Sequence, residues 1–337
     1  MAETYFDLTA ADQREVLDVA ASASGRPVHL LEKDIWVVWC LETLFGDEIG
    51  APLVFKGGTS LSKAYQVIRR FSEDVDLTYD IRELAPDLVG DAPDALPPSR
   101  SQEGKWSKEV RKRLAIWVAN TAAPFLAEAL KAAESDGDIR VENDEIFVRY
   151  AAQTRTSDYV RPEVKLEFGA RATGEPNQLM QVACDAAPHV DAVTFPTATP
   201  RVMTAARTFW EKATAAHVYC KQGKLRGDRF ARHWYDLTRL AATGHAEAAM
   251  KDRTLAEAVA AHKAMFFREK DASDQPIDYH AAVNGNLQLV PEGEARDVLA
   301  DDYARMIEDG LLMDESQPFD ELMAICAEIQ EKCSCVV

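Results

Sequence analysis

The chain has 337 residues, 47% hydrophobic and 28% charged, which is enough apolar material for one large core or two smaller ones and excludes a disordered or fibrous protein. A formal net charge of −18 excludes a general nucleic-acid coat, while a local basic patch can still serve an acidic substrate. No apolar run reaches membrane-span length, MAETYFDLTAADQ has no signal-peptide core, and the six cysteines form no CxxC pair, so a cytoplasmic protein with reduced thiols is expected.

In chain order, residues 8–24 read as an amphipathic helix with Val16, Leu17, Val19 and Ala20 on its buried side, broken by Gly25-Arg26-Pro27. HLLEKDIWVVWCLETLF follows as a strongly apolar helix. Glu32 and Asp34 near its start suit the positive end of the helix dipole. The next stretch, Val54 to Asp80, carries the chemistry. A short strand ends in Lys56-Gly57-Gly58, where adjacent glycines allow positive φ and close approach of a ligand. Leu61, Ala64, Tyr65 and Ile68 then recur at helical spacing, with Thr59 or Ser60 as the cap. Free backbone N–H groups at that turn outline a phosphate site built from Lys56, Gly57, Gly58, Thr59 and Ser60.

Asp74-Val75-Asp76-Leu77 reads as a strand with both aspartates on one face. Paired hard oxygen ligands suit Mg²⁺ (or Mn²⁺), which takes one or two carboxylates plus substrate phosphates. Alone, such a pair is most often a solvated strand face. Gly-Gly-Thr-Ser upstream makes metal-assisted nucleotidyl transfer from an NTP the stronger reading.

From Glu83 to Gly104, Pro86, Pro93, Pro97 and Pro98 indicate a long exposed loop. A helical region over 107–134 follows, entered through Lys105, Lys108, Arg111, Lys112 and Arg113, with Pro124 expected to kink or divide it. IRVEN and EIFVRYA form two alternating runs around an Asn143-Asp144 turn, 163–169 reads as a strand, and QLMQVACDAA as one more. Residues 204–222 form a helix bearing Lys212, and KLRGDRFARHWYDLTRL a basic loop and a further helix bearing Asp236. Beyond Ala241 the chain is mainly helical, with Asp301, Asp302, Glu308 and Asp309 as a solvated acidic face.

GGTSLSKAYQVIRRFSEDVDL resembles the first motif of the AbiEii/AbiGii-type nucleotidyltransferase toxins, in the DNA polymerase β-like superfamily. The Arg207-Thr208…Glu211-Lys212 helix and the Arg…Tyr235-Asp236-Leu237 helix are similar to its later motifs. The resemblance implies an α+β polymerase-β-like nucleotidyltransferase domain over 1–200, with a mixed sheet and flanking helices. A mainly helical C-terminal domain over 201–337 would contribute Lys212 and Asp236 to the cleft. It implies catalytic Asp74, Asp76, Lys212 and Asp236, Ser72 beside the phosphates, and a third acid on a neighbouring strand, Glu167 before Glu163. Asp236 is left two roles, holding a cation or accepting the proton of the attacking hydroxyl. It further implies the toxin half of a toxin–antitoxin or phage-abortive-infection pair, with a cognate antitoxin. The acceptor would be RNA, a tRNA 3′ end, met by Arg207, Lys221, Lys224, Arg226 and Arg229. A protein side chain as acceptor, a small-molecule acceptor and a non-catalytic NTP-binding protein stay open at this point.

Overall fold

The computed structural model describes residues 3–72, 74–92, 94–153, 161–225, 229–310, 312 and 317–335. The chain divides into two units: 1–64, 73–90 and 107–202 form one, and 65–72, 91–106 and 203–337 the other.

The first unit is built on a seven-stranded mixed sheet in the order Asp138–Glu142, Glu145–Arg149, Glu163–Ala172, Asp74–Asp80, Leu53–Lys56, Arg201–Met203, Asn177–Leu179. At its centre Asp74–Asp80 runs antiparallel to Leu53–Lys56 and parallel to Glu163–Ala172. Period-2 alternation fixes the faces: Val75, Leu77, Val164 and Leu166 are fully buried, so Asp74, Asp76, Lys165 and Glu167 share the opposite face. The hairpin Asp138–Glu142/Glu145–Arg149 turns at Asn143, whose φ of 57° is one that asparagine tolerates.

Helices flank this sheet. In Ala10–Ser24, Leu17 and Ala20 are buried, whereas Val19 is 48% exposed, so the buried stripe is narrower than its spacing suggests. Val28–Phe45 contains the acidic pair in its second turn, which removes the expected dipole role. Glu32, Lys33 and Asp34 are instead buried and matched. The Gln153 N–H donates to Glu32 at 2.7 Å, the Asp185 N–H donates to Asp34 at 2.7 Å, and Lys63 pairs with Asp34 at 2.5 Å. Lys33 Nζ donates to Arg161 O at 3.4 Å, and since a buried charge without partners would neutralise itself, these bonds explain how the three persist.

Three further expectations change. The 83–104 stretch holds short helices at Ile81–Leu84 and Pro86–Val89, and a long helix already begins at Arg100. Val89 and Ala95 are buried within it, so the stretch is not an exposed loop throughout. Arg100–Trp117 and Ala123–Ala132 are joined by a π turn over Val118–Ala122, a wide turn that accommodates Pro124, which lacks an N–H. QLMQVACDAA is not one strand: Asn177–Leu179 edges the large sheet, while Val182–Ala183 pairs with Thr197–Ala198 in a separate ribbon.

The second unit is mainly helical. Ala205–Gln222 is capped by Thr204, whose side chain accepts from the Arg207 N–H, and ends at Gly223 in the left-handed region. Arg232–Ala242, His245–Lys251, Arg253–Phe266, Glu294–Glu308 and Phe319–Cys335 complete it. Its core centres on Trp210 and Trp234, fully buried, whose indole N–H groups donate to Ala249 O at 3.0 Å and Leu289 O at 2.6 Å. Asp302 does not belong to a solvated face. It is 3% exposed and accepts from the N–H groups of Arg229 at 3.0 Å and Ala231 at 2.7 Å, tying down the loop before Arg232–Ala242.

Candidate active site

In the first unit, the strand Leu53–Lys56 passes directly into the helix Gly57–Lys63. Gly57 has φ +78°, and a β-carbon there would overlap the Asp76 carboxylate. Only glycine lets the turn and the acid come so close. The helix begins at Gly57, so Thr59 and Ser60 are inside it and not its caps. Both are buried, with the Thr59 hydroxyl donating to Asp74 O and the Ser60 hydroxyl to Gly57 O at 3.0 Å. The helix also stops at Lys63, because Gln66 takes φ 54°; Tyr65 and Ile68 lie on the segment beyond it.

Sheet register lines up the chemistry. Lys56 stands opposite Asp76, Asp76 beside Glu167, and Asp74 beside Lys165. Lys165 bridges Glu167 and Glu145, the latter at 2.9 Å. Burial alone would lower the Lys165 pKa; the two carboxylates outweigh it and raise it. Glu163, the second choice for a third acid, is engaged by Arg149 at 3.4 Å and by Arg140 and Arg161 at 3.9 Å. Glu167 is salt-bridged as well, by Lys165, and what sets it apart from Glu163 is its register with Asp76.

Among the described residues no cluster of three or more His, Cys, Asp or Glu presents itself as a metal site. The donor set on the strand is a pair, Asp74 and Asp76, with the Asp76 carboxylate seated in the space that the missing Cβ of Gly57 leaves. It fits an ion that completes its shell with water and substrate phosphates, as Mg²⁺ does.

In the second unit Asp236 is wholly buried at the middle of a charge network. Arg70 grips it through two bonds, Nε to Oδ1 at 2.7 Å and Nη2 to Oδ2 at 2.9 Å, and Lys212 Nζ meets Oδ2 at 2.8 Å. Burial lowers the Lys212 pKa and Arg70 lowers it further, with Asp236 opposing both. His233 sits nearby with its Nδ1 shut from solvent and lacking a hydrogen-bond partner among the described residues; burial, then Lys212, pushes its pKa well down and keeps it neutral. Arg70 was given no role by sequence reasoning. Its partner lies 166 residues away, so no local spacing marks it. The surrounding segment is held in the same unit by the Arg69 N–H to Tyr235 Oη at 3.2 Å and by Arg239 Nε to Val67 O at 3.2 Å. Ser72 is half-buried.

The expected acceptor-binding residues divide. Arg207 is 7% exposed and pairs with Glu211 at 3.3 Å, which takes it out of a solvent-facing patch. Lys224 is exposed, Lys221 and Arg229 are half-buried, and Arg226 lies outside the described residues.

The family described as "Nucleotidyl transferase AbiEii toxin, Type IV TA system" matches residues 39–325, which takes in both aspartates, Lys212 and Asp236. The chain belongs to the AbiEii family. It is thus a nucleotidyltransferase toxin of a type IV toxin–antitoxin system. MenT4, a nucleotidyltransferase toxin from Mycobacterium tuberculosis H37Rv, is among the solved structures similar to the toxin, with 18% identity, TM-score 0.38, and coverage of 98% of this chain and 99% of that one. No curated protein matches the sequence. Among the described residues of the toxin no helix is long and apolar enough to cross a membrane.

Proposed function

We propose that the toxin transfers a nucleoside monophosphate from an NTP to a hydroxyl at a tRNA 3′ end. The observation that carries this reading is the register placing Asp76 against the Gly57 turn, with Lys56 opposite and Glu167 alongside. The backbone at Gly57 and Gly58 binds the β- and γ-phosphates, and Lys56 adds charge beside them. The acceptor oxygen attacks the α-phosphorus, the bond to the bridging oxygen breaks, and pyrophosphate leaves. Lys212 neutralises charge gathering on that leaving group. Arg70 and Asp236 hold Lys212 in place, and the paired state of Asp236 favours this positioning role over proton acceptance. Asp74 and Asp76 would hold Mg²⁺ or Mn²⁺, which when bound supplies charge neutralisation at the phosphates and orients them. Lys221, Lys224 and Arg229 supply positive charge for a polyanionic acceptor, in a chain that is otherwise acidic.

Label transfer tests this. The protein is incubated with each NTP labelled at the α-phosphate, Mg²⁺, total RNA and protein lysate, beside an Asp74→Ala, Asp76→Ala control. Label is expected in a tRNA-sized band and absent in the control. Label confined to protein bands would replace the RNA acceptor with a protein one, and no label under any NTP would sink the mechanism.

A further inference from the structure

The helical unit contains a cavity of about 520 Å³, within the size range of small-ligand pockets, lined by none of the residues given to the NTP above. Its lining carries hydrogen-bond groups whose polarity is fixed by what their other ends do. His217, 2% exposed, takes the Gln288 N–H on Nδ1 at 3.0 Å, so the neutral ring carries its proton on Nε2. Burial, then the neighbouring Lys221, pushes its pKa down to about 4, which keeps it a neutral donor at working pH. Gln330 accepts the Leu289 N–H on Oε1 at 2.9 Å, leaving its NH₂ as the donor end. Lys221 stands one turn after His217 on Ala205–Gln222, on the same helix face.

Two acids line the same cavity, each with one oxygen already used. Asp271 Oδ1 accepts the N–H groups of Ser273 at 2.8 Å and Gln275 at 2.9 Å, and Asp278 Oδ1 accepts that of Ala281 at 2.9 Å. Their Oδ2 atoms are the acceptors left for an incoming donor. A metal ion is a poor occupant, because Lys221, His217 and Gln330 present protons. A simple polyanion is a poor one too, because of the two aspartates. An apolar molecule would strand all five groups. One oxyanion together with hydroxyl donors satisfies both sets.

We propose that this cavity binds a ribose phosphate, with the phosphate on Lys221, His217 and Gln330 and the ribose hydroxyls on Asp271 and Asp278. The ligand is either a free nucleotide or sugar phosphate, or the 3′-terminal nucleotide of an RNA strand, which keeps both its 2′- and 3′-hydroxyls; the recognition chemistry is the same.

Calorimetry on the full-length protein in magnesium-free buffer tests the site without needing turnover, so its outcome is separable from that of the transfer assay. The probes are ribose 5-phosphate and a single-stranded 12-nucleotide RNA. The proteins are wild type, Lys221→Gln, Lys221→Glu and an Asp74→Asn, Asp76→Asn double variant, each checked for an unchanged thermal midpoint. Ribose 5-phosphate is expected to bind wild type and the double variant alike, about tenfold more weakly to Lys221→Gln, and not measurably to Lys221→Glu. RNA that competes with ribose 5-phosphate identifies the acceptor strand as the source, and RNA that does not compete identifies a free ligand. Absence of binding at millimolar ribose 5-phosphate overturns the proposal. So does binding that is lost in the double variant yet intact in Lys221→Glu, which would place the ligand at the aspartate pair.

Discussion

Burial alone would raise the Asp236 pKa, but Arg70 and Lys212 outweigh it and hold the carboxyl far below the usual carboxylate range. A group so firmly ionised is a poor proton acceptor and a good clamp. Because its folded pKa is depressed, the stability it contributes is complete above the unfolded value near pH 4 and is lost only as pH falls through the folded value. Asp236→Asn leaves two buried cations facing each other, with an expected loss of about 3–5 kcal/mol read from the urea midpoint. Arg70→Lys keeps the charge but forfeits the two-bond grip, so kcat should fall by more than tenfold while KM for the NTP stays within about twofold. A KM effect alone would point to nucleotide binding instead. His217 gives a pH dependence of the same sign in a higher window. Folded, it titrates at about 4 against 6.5 for the free side chain, so between those values the unfolded chain binds more protons and stability falls as pH drops. His217→Asn should flatten the pH dependence of the urea midpoint over that window. Motif spacing made Lys212 and Asp236 legible, since each stands in a short pattern of its own. Arg70 and Asp302 were not legible, because what defines each is a partner or backbone amide far along the chain.

Among the elements, the strand–turn–helix from Leu53 to Lys63 is the least tolerant. Gly57→Ala combines a positive φ with a β-carbon in the place of the Asp76 carboxylate, so the acid must move. Nucleotidyl transfer is expected to drop at least a hundredfold, with far-ultraviolet circular dichroism unchanged. An active Gly57→Ala enzyme would show that the close approach of turn and acid is dispensable. The sheet centre was readable because alternation in DVDL and EVKLEF leaves one arrangement that buries Val75, Leu77, Val164 and Leu166. The helix after the glycines was overread, since apolar residues at helical spacing persist through Ile68 although the backbone has left the helix. QLMQVACDAA was misread as one strand because its apolar residues suit a single run, whereas strand partners elsewhere in the chain divide it.

At the scale of the whole molecule, chain order and contact order disagree. Tyr65–Ser72 and Asp91–Trp106 cluster with the C-terminal helices, although each is flanked in sequence by parts of the sheet unit. A fragment spanning 203–337 would therefore retain Lys212 and Asp236 but lose Arg70. It is expected to melt broadly, below the intact protein, and a sharp transition at the full-length midpoint would show that the missing segments are dispensable. Composition conveyed the acidic balance and the family resemblance the mixed class, but the interleaving leaves no linker or composition shift to reveal it.

Synthesis on the ribosome turns that interleaving into a matter of time. Asp236 is made 166 residues after Arg70, roughly 10–30 seconds later at ordinary elongation rates. For nearly all of that interval the nascent chain carries the glycine turn and both aspartates, while Asp236 is still to come and Lys212 does not yet exist for most of it. A message cut or stalled before the codon for Asp236 thus yields a polypeptide that carries the glycine turn and the aspartate pair but cannot form the Arg70–Asp236–Lys212 network, so a chain with the whole network exists only after translation has passed that point.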